Sequence, residues 1–203
     1  VKNATCEGYL EIPCIKKTEE IPNRLIPFSK AVSSHEYDAW VHFYEDDVSF
    51  ERLWNQPNKY LPILKKYAGV ISPDFSVYRD MPLVMQQWNI YRSRAIGHWL
   101  QENGIPVITN VRWGDNRTFE ICCNGVPNNA AIAIGTHGCI KLLQEREFFT
   151  QGLNYVVEKL KPQSIIVYGT APDHIFSKLK EAGITILQFD SDYMLAHKKA
   201  VSA

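Results

Sequence analysis

The densest chemistry in the chain lies in Asn110, Arg112, Trp113 and Asp115, which directly follow the apolar pair Val107 and Ile108. Alternate residues of an extended chain face the same way, so Asn110 and Arg112 present an amide and a forked guanidinium together. That pair suits a phosphate, a carboxylate or a base edge, and Trp113 adds an apolar or stacking wall. The competing reading is structural: Arg112 pairs with Asp115 or Glu120, and Asn110 bonds loop backbone. A second segment, Gly135, Thr136, His137, Gly138 and Cys139, reads as a strand-to-helix turn. Its backbone N–H groups and the Thr136 hydroxyl suit an anion, as helix N-termini do. His137 and Cys139 form a candidate nucleophile dyad, although alternate residues need not meet, and a core or capping histidine is the plainer reading.

Acids supply a third set. Glu45, Asp46, Asp47, Asp74 and Asp190 end three apolar runs. Two or three converging carboxylates, with Asp74 beside Glu45 or Asp47, suit magnesium in phosphodiester or pyrophosphate hydrolysis. Acids also gather before helices for dipole reasons alone. Tyr78, Arg79 and Arg92 add possible cationic or neutralising contacts.

These clusters matter because of where they fall. Six short apolar runs, at 40–44, 69–72, 105–108, 130–134, 165–168 and 184–189, each end in polar residues. Side chains at the carboxyl ends of parallel strands converge on one edge, where ligands bind. The runs predict strands near 40–45, 69–73, 105–110, 130–135, 164–169 and 184–189. Between them, Val84, Trp88, Tyr91, Ala95 and Trp99 recur at helical spacing after Pro82, which predicts a helix closed by Gly104 with those residues facing the sheet. Asn89, Arg92 and Ser93 lie off that stripe. On this reading Trp88→Ala costs roughly 3–5 kcal/mol. Further helices are predicted from Phe149 to Leu160, ending before Pro162, and from Asp173 to Ala182, ending at Gly183. Ser49 is the expected cap of a segment that Pro57 and Pro62 break into short pieces.

Strand and helix in alternation imply right-handed crossovers and an α/β fold: a mostly parallel sheet of about six strands with outer helices. The 203 residues fall short of the roughly 250 of eight βα units, so an incomplete or distorted TIM-like barrel is favoured over an open doubly wound sheet. One domain is expected over 1–203, with a packed but irregular lead-in at 1–35, where Pro13, Pro22 and Pro27 crowd, and a tail at 197–203 that frays.

Bulk composition narrows the partners. Lys plus Arg and Asp plus Glu are 22 each, so no global field draws nucleic acid or an anionic membrane. The apolar runs are too short to span a bilayer, and the first residues lack a signal-peptide core, so a soluble cytoplasmic protein is expected. Five cysteines, an odd number without zinc-knuckle spacing, point to reduced thiols, with Cys122 and Cys123 buried and no metal site.

The run from Asn89 through Arg92, Arg94, Gly97 and Gly104 to Ile108, followed by Asn110, Arg112, Trp113, Gly114 and Asp115, resembles the domain of unknown function 4417 family of bacteria, phages and mobile elements. Gly125 to Pro127, Ala133 to Gly138, Phe148 to Gly152, Pro162, Tyr168 and Gly169 extend the resemblance over roughly Pro27 to Phe189, leaving the N-terminal cysteine segment outside. It implies a bacterial or phage origin and offers no catalytic residue or cofactor. Three functions stay open. The favoured one is a module binding a nucleotide, a nucleic-acid end or another phosphate-containing ligand. The others are a metal-dependent hydrolase or nuclease, and a partner-binding accessory protein of a mobile element. Asp74, Asn89, Arg92, Asn110, Arg112, Trp113, Thr136 and His137 are expected to line one cleft, with Arg112→Ala abolishing binding at less than about 1 kcal/mol of stability.

Overall fold

Seven parallel strands lie side by side in the order the chain makes them, each joined to the next by a crossover on the outside of the sheet. In the computed structural model, which describes residues 1–201, the sheet curls into an open half-barrel flanked by helices. A small antiparallel pair, β1 (Cys6–Glu7) and β2 (Ile12–Pro13), comes first. The sheet then runs β3 (Leu25–Pro27), β4 (Trp40–His42), β5 (Gly69–Ile71), β6 (Val107–Asn110), β7 (Ala131–Gly135), β8 (Ser164–Tyr168) and β9 (Thr185–Phe189). Helices α1 (Phe28–Ala31), α2 (Asp47–Asn55), α3 (Pro57–Leu64) and α4 (Leu83–Glu102) belong to the first half. The second half carries α5 (Phe119–Cys123), α6 (Leu143–Leu160), α7 (Asp173–Glu181) and α8 (Asp192–Val201). Among the described residues no helix is long and apolar enough to cross a membrane.

The apolar runs form strands because both sheet faces are covered. Val41, Val70 and Val107 face outward onto Phe50, Leu53, Leu64 and Leu100, while Ile132, Ile165 and Val167 meet Leu153, Val156, Leu160 and Phe176. The alternate residues Trp40, Ile71, Ile108, Ala131, Ala133 and Ile166 form a third core on the concave side. Small residues make room there. A Cβ on Gly69 would sit 2.6 Å from the Trp40 ring, and one on Gly135 would sit 3.0 Å from Tyr44.

All six expected strands are present, and a seventh, β3, lies inside the lead-in expected to be irregular. Pro27 is tolerated because β3 is an edge strand. The rest of the lead-in docks through backbone groups. Lys16 N–H donates to Gln101 Oε1 (2.7 Å) and Gln101 Nε2 returns to Lys16 O (2.6 Å). His98 Nδ1 lies 2.9 Å from Cys14 O, and Ile15 N–H donates to Gly125 O (2.9 Å). Ile12 and Ile15 are buried in two different cores.

That docking explains the main correction to the expected packing. On α4 the aromatic stripe faces outward: Val84 is 69% exposed and Trp88 48%, the latter stacked on Tyr91 at 5.6 Å and edge-on to Trp54. Of the stripe only Ala95 is fully buried; the buried face carries Gln86, Asn89, Ser93, Arg94 and Gly97 with Ile90 and Leu100. A polar helix face can be buried where neighbouring loops supply its hydrogen bonds, and here the N-terminal segment and the loops after β5 and α5 do so.

Smaller corrections follow. The helix assigned to a Ser49 cap begins at Asp47 with Asp46 at the boundary, so Ser49 lies inside its first turn. The expected break at Pro57 is present, since α2 stops at Asn55 and Pro57 opens α3, but Pro62 lies inside α3 and does not end it. Helices α5 and α8 were not anticipated; positions 197–201 of the expected frayed tail continue α8, and 202–203 lie outside the described residues. The Gly104 and Gly183 stops hold, with φ of +83° and +86°.

Candidate functional site

The site grows from the strand ends. Just past β5 the chain places Asp74, at the end of β6 it places Asn110 and then Arg112, and two residues past β4 it places Tyr44. These four form one hydrogen-bonded chain. Tyr44 OH donates to Asn110 Oδ1 (2.9 Å), Asn110 Nδ2 donates to Asp74 Oδ1 (2.8 Å), and Arg112 Nη1 donates to Asp74 Oδ2 (2.9 Å). Arg112 therefore pairs with neither Asp115 nor Glu120; Asp115 is taken by Arg117 at 2.8 Å.

The backbone beneath is fixed from α4. Ser72 Oγ accepts the Asn110 N–H (2.9 Å) and lies 3.3 Å from Ser93 Oγ. The fully buried Arg94 donates to the carbonyls of Asn110 (2.8 Å), Cys122 (2.6 Å) and Asn124 (3.1 Å). Burial lowers its pKa to about 10, and it is the positioning residue for this strand end.

Electrostatics distinguish the members of the chain. Burial pushes the Asp74 carboxyl above its ordinary value, against the opposing pull of Arg112 and Asn110. The same pair holds Arg112 firmly cationic, because the Asp74 charge outweighs desolvation there. Burial also keeps Tyr44 a neutral donor, and its ring stacks on Tyr168 at 4.7 Å. Next to them His42 is desolvated so fully that its pKa falls to about 3, leaving a neutral ring whose Nδ1 accepts the Tyr44 N–H (3.2 Å).

Two adjoining cavities open at this edge. The smaller, about 280 Å³, has apolar walls from Val77, Val111, Trp113, Ile134, Phe148 and Phe149. The larger, about 440 Å³, is lined by Tyr44, Tyr168 and Tyr193 and by the carboxylates of Glu45, Asp46, Asp74 and Asp192. Tyr78, Arg112, Gly135 and His137 border both.

Of the eight residues expected in one cleft, Asp74, Arg112, Trp113 and His137 line these cavities, and Asn110 anchors Asp74 from beneath. Trp113 is packed tightly on Gly152 and lies 5.4 Å from Phe149. Thr136 turns away, its hydroxyl donating to Thr170 O (2.8 Å). Asn89 and Arg92 brace the loop after β5 from behind: Asn89 Nδ2 bonds Ser76 O (2.6 Å), while Arg92 bonds Glu51 (2.8 Å) and Asn89 (2.6 Å) and lies 3.9 Å over the Phe75 ring. The turn after β7 does not lead directly into a helix, since α6 begins only at Leu143. His137 is exposed instead of core, and Cys139 Sγ donates to His137 O (3.5 Å), so the two side chains form no dyad. Burial pushes the Cys139 thiol up, away from the reactive thiolate.

The acids do not converge as metal ligands. Asp47 accepts Ser76 N–H (3.2 Å) and Oγ–H (2.9 Å), and Glu45 accepts both Ser29 N–H (3.0 Å) and its hydroxyl. Among the described residues no three His, Cys, Asp or Glu side chains group as a metal site. Sequence reasoning did not pick out Tyr44, Tyr168 or Arg94 as members of the site. Tyr44 and Tyr168 sit at strand ends, so the rule that selected Asn110 also points to them. Nothing in the sequence marks Arg94 as buried.

The chain matches the family described as Domain of unknown function (DUF4417) over residues 4–190, which takes in the N-terminal segment with Cys6 and Cys14 that the sequence pattern left outside. It is 33% identical over 163 residues to the Gene 1 protein of Mycobacterium phage L5, covering 78% of this chain and 71% of that protein. It shows the same identity and length of match to the Gene 1 protein of Mycobacterium phage D29, where the match covers 60% of the relative, less than two thirds of its length. No solved structure matches the chain significantly. The chain belongs to the DUF4417 family, and it is similar to these phage proteins.

Proposed function

We propose that the protein binds a small phosphate-bearing ligand of mononucleotide size across the carboxyl edge of its half-barrel. The observation that carries this reading is Arg112, a permanent cation oriented by Asp74 and bordering both cavities. A guanidinium held in one geometry binds an oxyanion with less ordering cost than a free one. The apolar walls of the smaller cavity suit a planar ring, and the tyrosines and carboxylates of the larger one suit hydroxyl groups. Those carboxylates also disfavour a polyphosphate or a nucleic-acid backbone, so the ligand carries a single phosphate near Arg112. The metal-dependent hydrolase reading loses its support, because Glu45, Asp47 and Asp74 are each engaged separately.

The test is a thermal-shift and calorimetric panel of 5′-mononucleotides, nucleosides, inorganic phosphate and short oligonucleotides. A mononucleotide at 100 times its dissociation constant should stabilise the fold by about 2.7 kcal/mol. Arg112→Gln should remove that response. A flat response across the panel would refute the reading. It would favour a partner-binding accessory role, for which the half-exposed Trp88, beside Trp54 and the exposed Val84, is the supporting observation.

A further inference from the structure

We propose that residues 190–193, the two that join β9 to α8 and the first two of α8, form a strap across the open side of the half-barrel, latched by Lys30 and Asp192, and that its release admits ligand to the larger cavity. The inference rests on reading that cavity as a ligand site. A half-barrel has two free edges, here β3 and β9. Lys30 lies three residues past the end of β3 and Asp192 three past the end of β9. Their ion pair, Nζ to Oδ2 at 3.0 Å, therefore joins the two ends of the sheet where no strand closes the gap.

The same residue is held from the sheet's middle. Asp192 N–H donates to Tyr168 OH (3.0 Å), and the Tyr168 ring stacks on Tyr44 at the floor of the cavity. Tyr193 extends the strap toward the loop after β7, with its ring 6.0 Å from His137 and 5.5 Å from Lys141 Nζ. Ser191, Asp192 and Tyr193 thus form one wall of the larger cavity, with Glu45, Asp46 and Asp74 among its other walls.

The latch is built to open. Its lysine and aspartate side chains are 63% and 49% exposed, so water and salt compete for the pair. By contrast β9 is paired with β8 along its whole length, Thr185 to Phe189, so the sheet's own hydrogen bonds end before the strap begins.

Hydrogen exchange tests the latch without any ligand, so a failed ligand screen and a failed strap are told apart. At low salt, Lys30→Gln should speed exchange of the amides of Asp192 and Leu195 by about two- to fivefold, the weight of an exposed ion pair, with β7 and β8 still protected. In roughly 0.5 M salt the unsubstituted protein should reach the variant's rate, and the variant should not change further. Access is read separately. In a Ser49→Cys background, with Ser49 on the cavity wall, alkylation of the introduced thiol, identified by peptide mass, should accelerate by the same factor when Lys30→Gln is added. Equal exchange in the two proteins at low salt would overturn the latch, as would exchange rising equally in β8. Unchanged alkylation with a loosened strap would overturn the gate.

Discussion

Removing Arg112 and neutralising Asp74 should have unequal consequences, although the two residues share one ion pair. Their side chains are 20% and 9% exposed, so the pair is far from a surface salt bridge. Breaking a buried pair by deleting one member costs roughly 3–5 kcal/mol, because the other is left charged without compensation. Arg112→Ala leaves the Asp74 carboxylate with Asn110 as its remaining donor among these contacts, but opens it to water in the adjoining cavities. We therefore expect about 2–3 kcal/mol, below the range for full burial and above the figure of less than about 1 kcal/mol that a surface arginine implies.

Asp74→Asn is the milder change. Burial already raises the carboxyl's pKa, so the charged form is the costly one, and an amide removes that cost. Its oxygen keeps the bond from Arg112 Nη1, and a flip of Asn110 lets the new amide donate to Asn110 while Tyr44 OH accepts. The expected loss is within about 1 kcal/mol. Urea denaturation at constant slope measures both variants. The sign with pH follows from a folded-state pKa above the unfolded one: protonation favours the fold, so stability is lost as pH rises through the folded value. Removing Arg112 raises that value further, and the Arg112→Ala deficit should shrink as the pH is lowered from neutral. If Asp74→Asn costs as much as Arg112→Ala, or the deficit grows on acidification, the account of this pair is wrong.

Trp88→Ala should lower stability by only about 0.5–1.5 kcal/mol, the worth of an aromatic contact at a half-exposed site, while Ile90→Ala on the buried face should cost about 2–5 kcal/mol in the same denaturation assay. A larger loss from Trp88 would return the aromatic stripe to the core. His42, with its pKa near 3, stays neutral in the fold, so below pH 6.5 the unfolded chain takes up a proton that the fold does not. Stability should fall as pH drops from 6.5 toward 3, at up to about 1.4 kcal/mol per pH unit. His42→Gln should flatten that part of the curve, and an unchanged slope would show that His42 titrates normally.

The sheet was legible because strands covered on both faces are uniformly apolar, a pattern that needs no tertiary information. Runs such as 130–134 and 165–168 end within a residue or two of the strands they became. Helix α4 was legible in extent but not in orientation. Its aromatic spacing is a true helical stripe, yet periodicity says only that two faces differ. Which face is inside depended on the N-terminal segment, whose own three-residue strand and backbone-led docking leave no periodic trace. The site divides along the same line. Asp74, Asn110 and Arg112 follow from strand ends, whereas Asn89 and Arg92 carry the right side-chain types on a helix that places them behind the loop. Arg94 is invisible in principle, since its partners are three backbone carbonyls.

The seating of the N-terminal segment has a consequence for the order of assembly. Lys16 meets Gln101 across 85 residues, whereas every pairing in the large sheet joins strands consecutive in the chain. Neighbouring strands close short loops early, and the long closure comes at a larger entropic penalty. The segment before β3 is thus expected to seat late, after α4 has formed the groove that receives Ile12 and Ile15. Until then the α4 face that carries Gly97 and His98 lacks its cover, and the His98 ring nitrogen that meets Cys14 O in the finished fold is left to water. A leucine at position 97 would collide with Ile15, and one at position 98 would give up the contact with Cys14 O, so neither would let the segment seat.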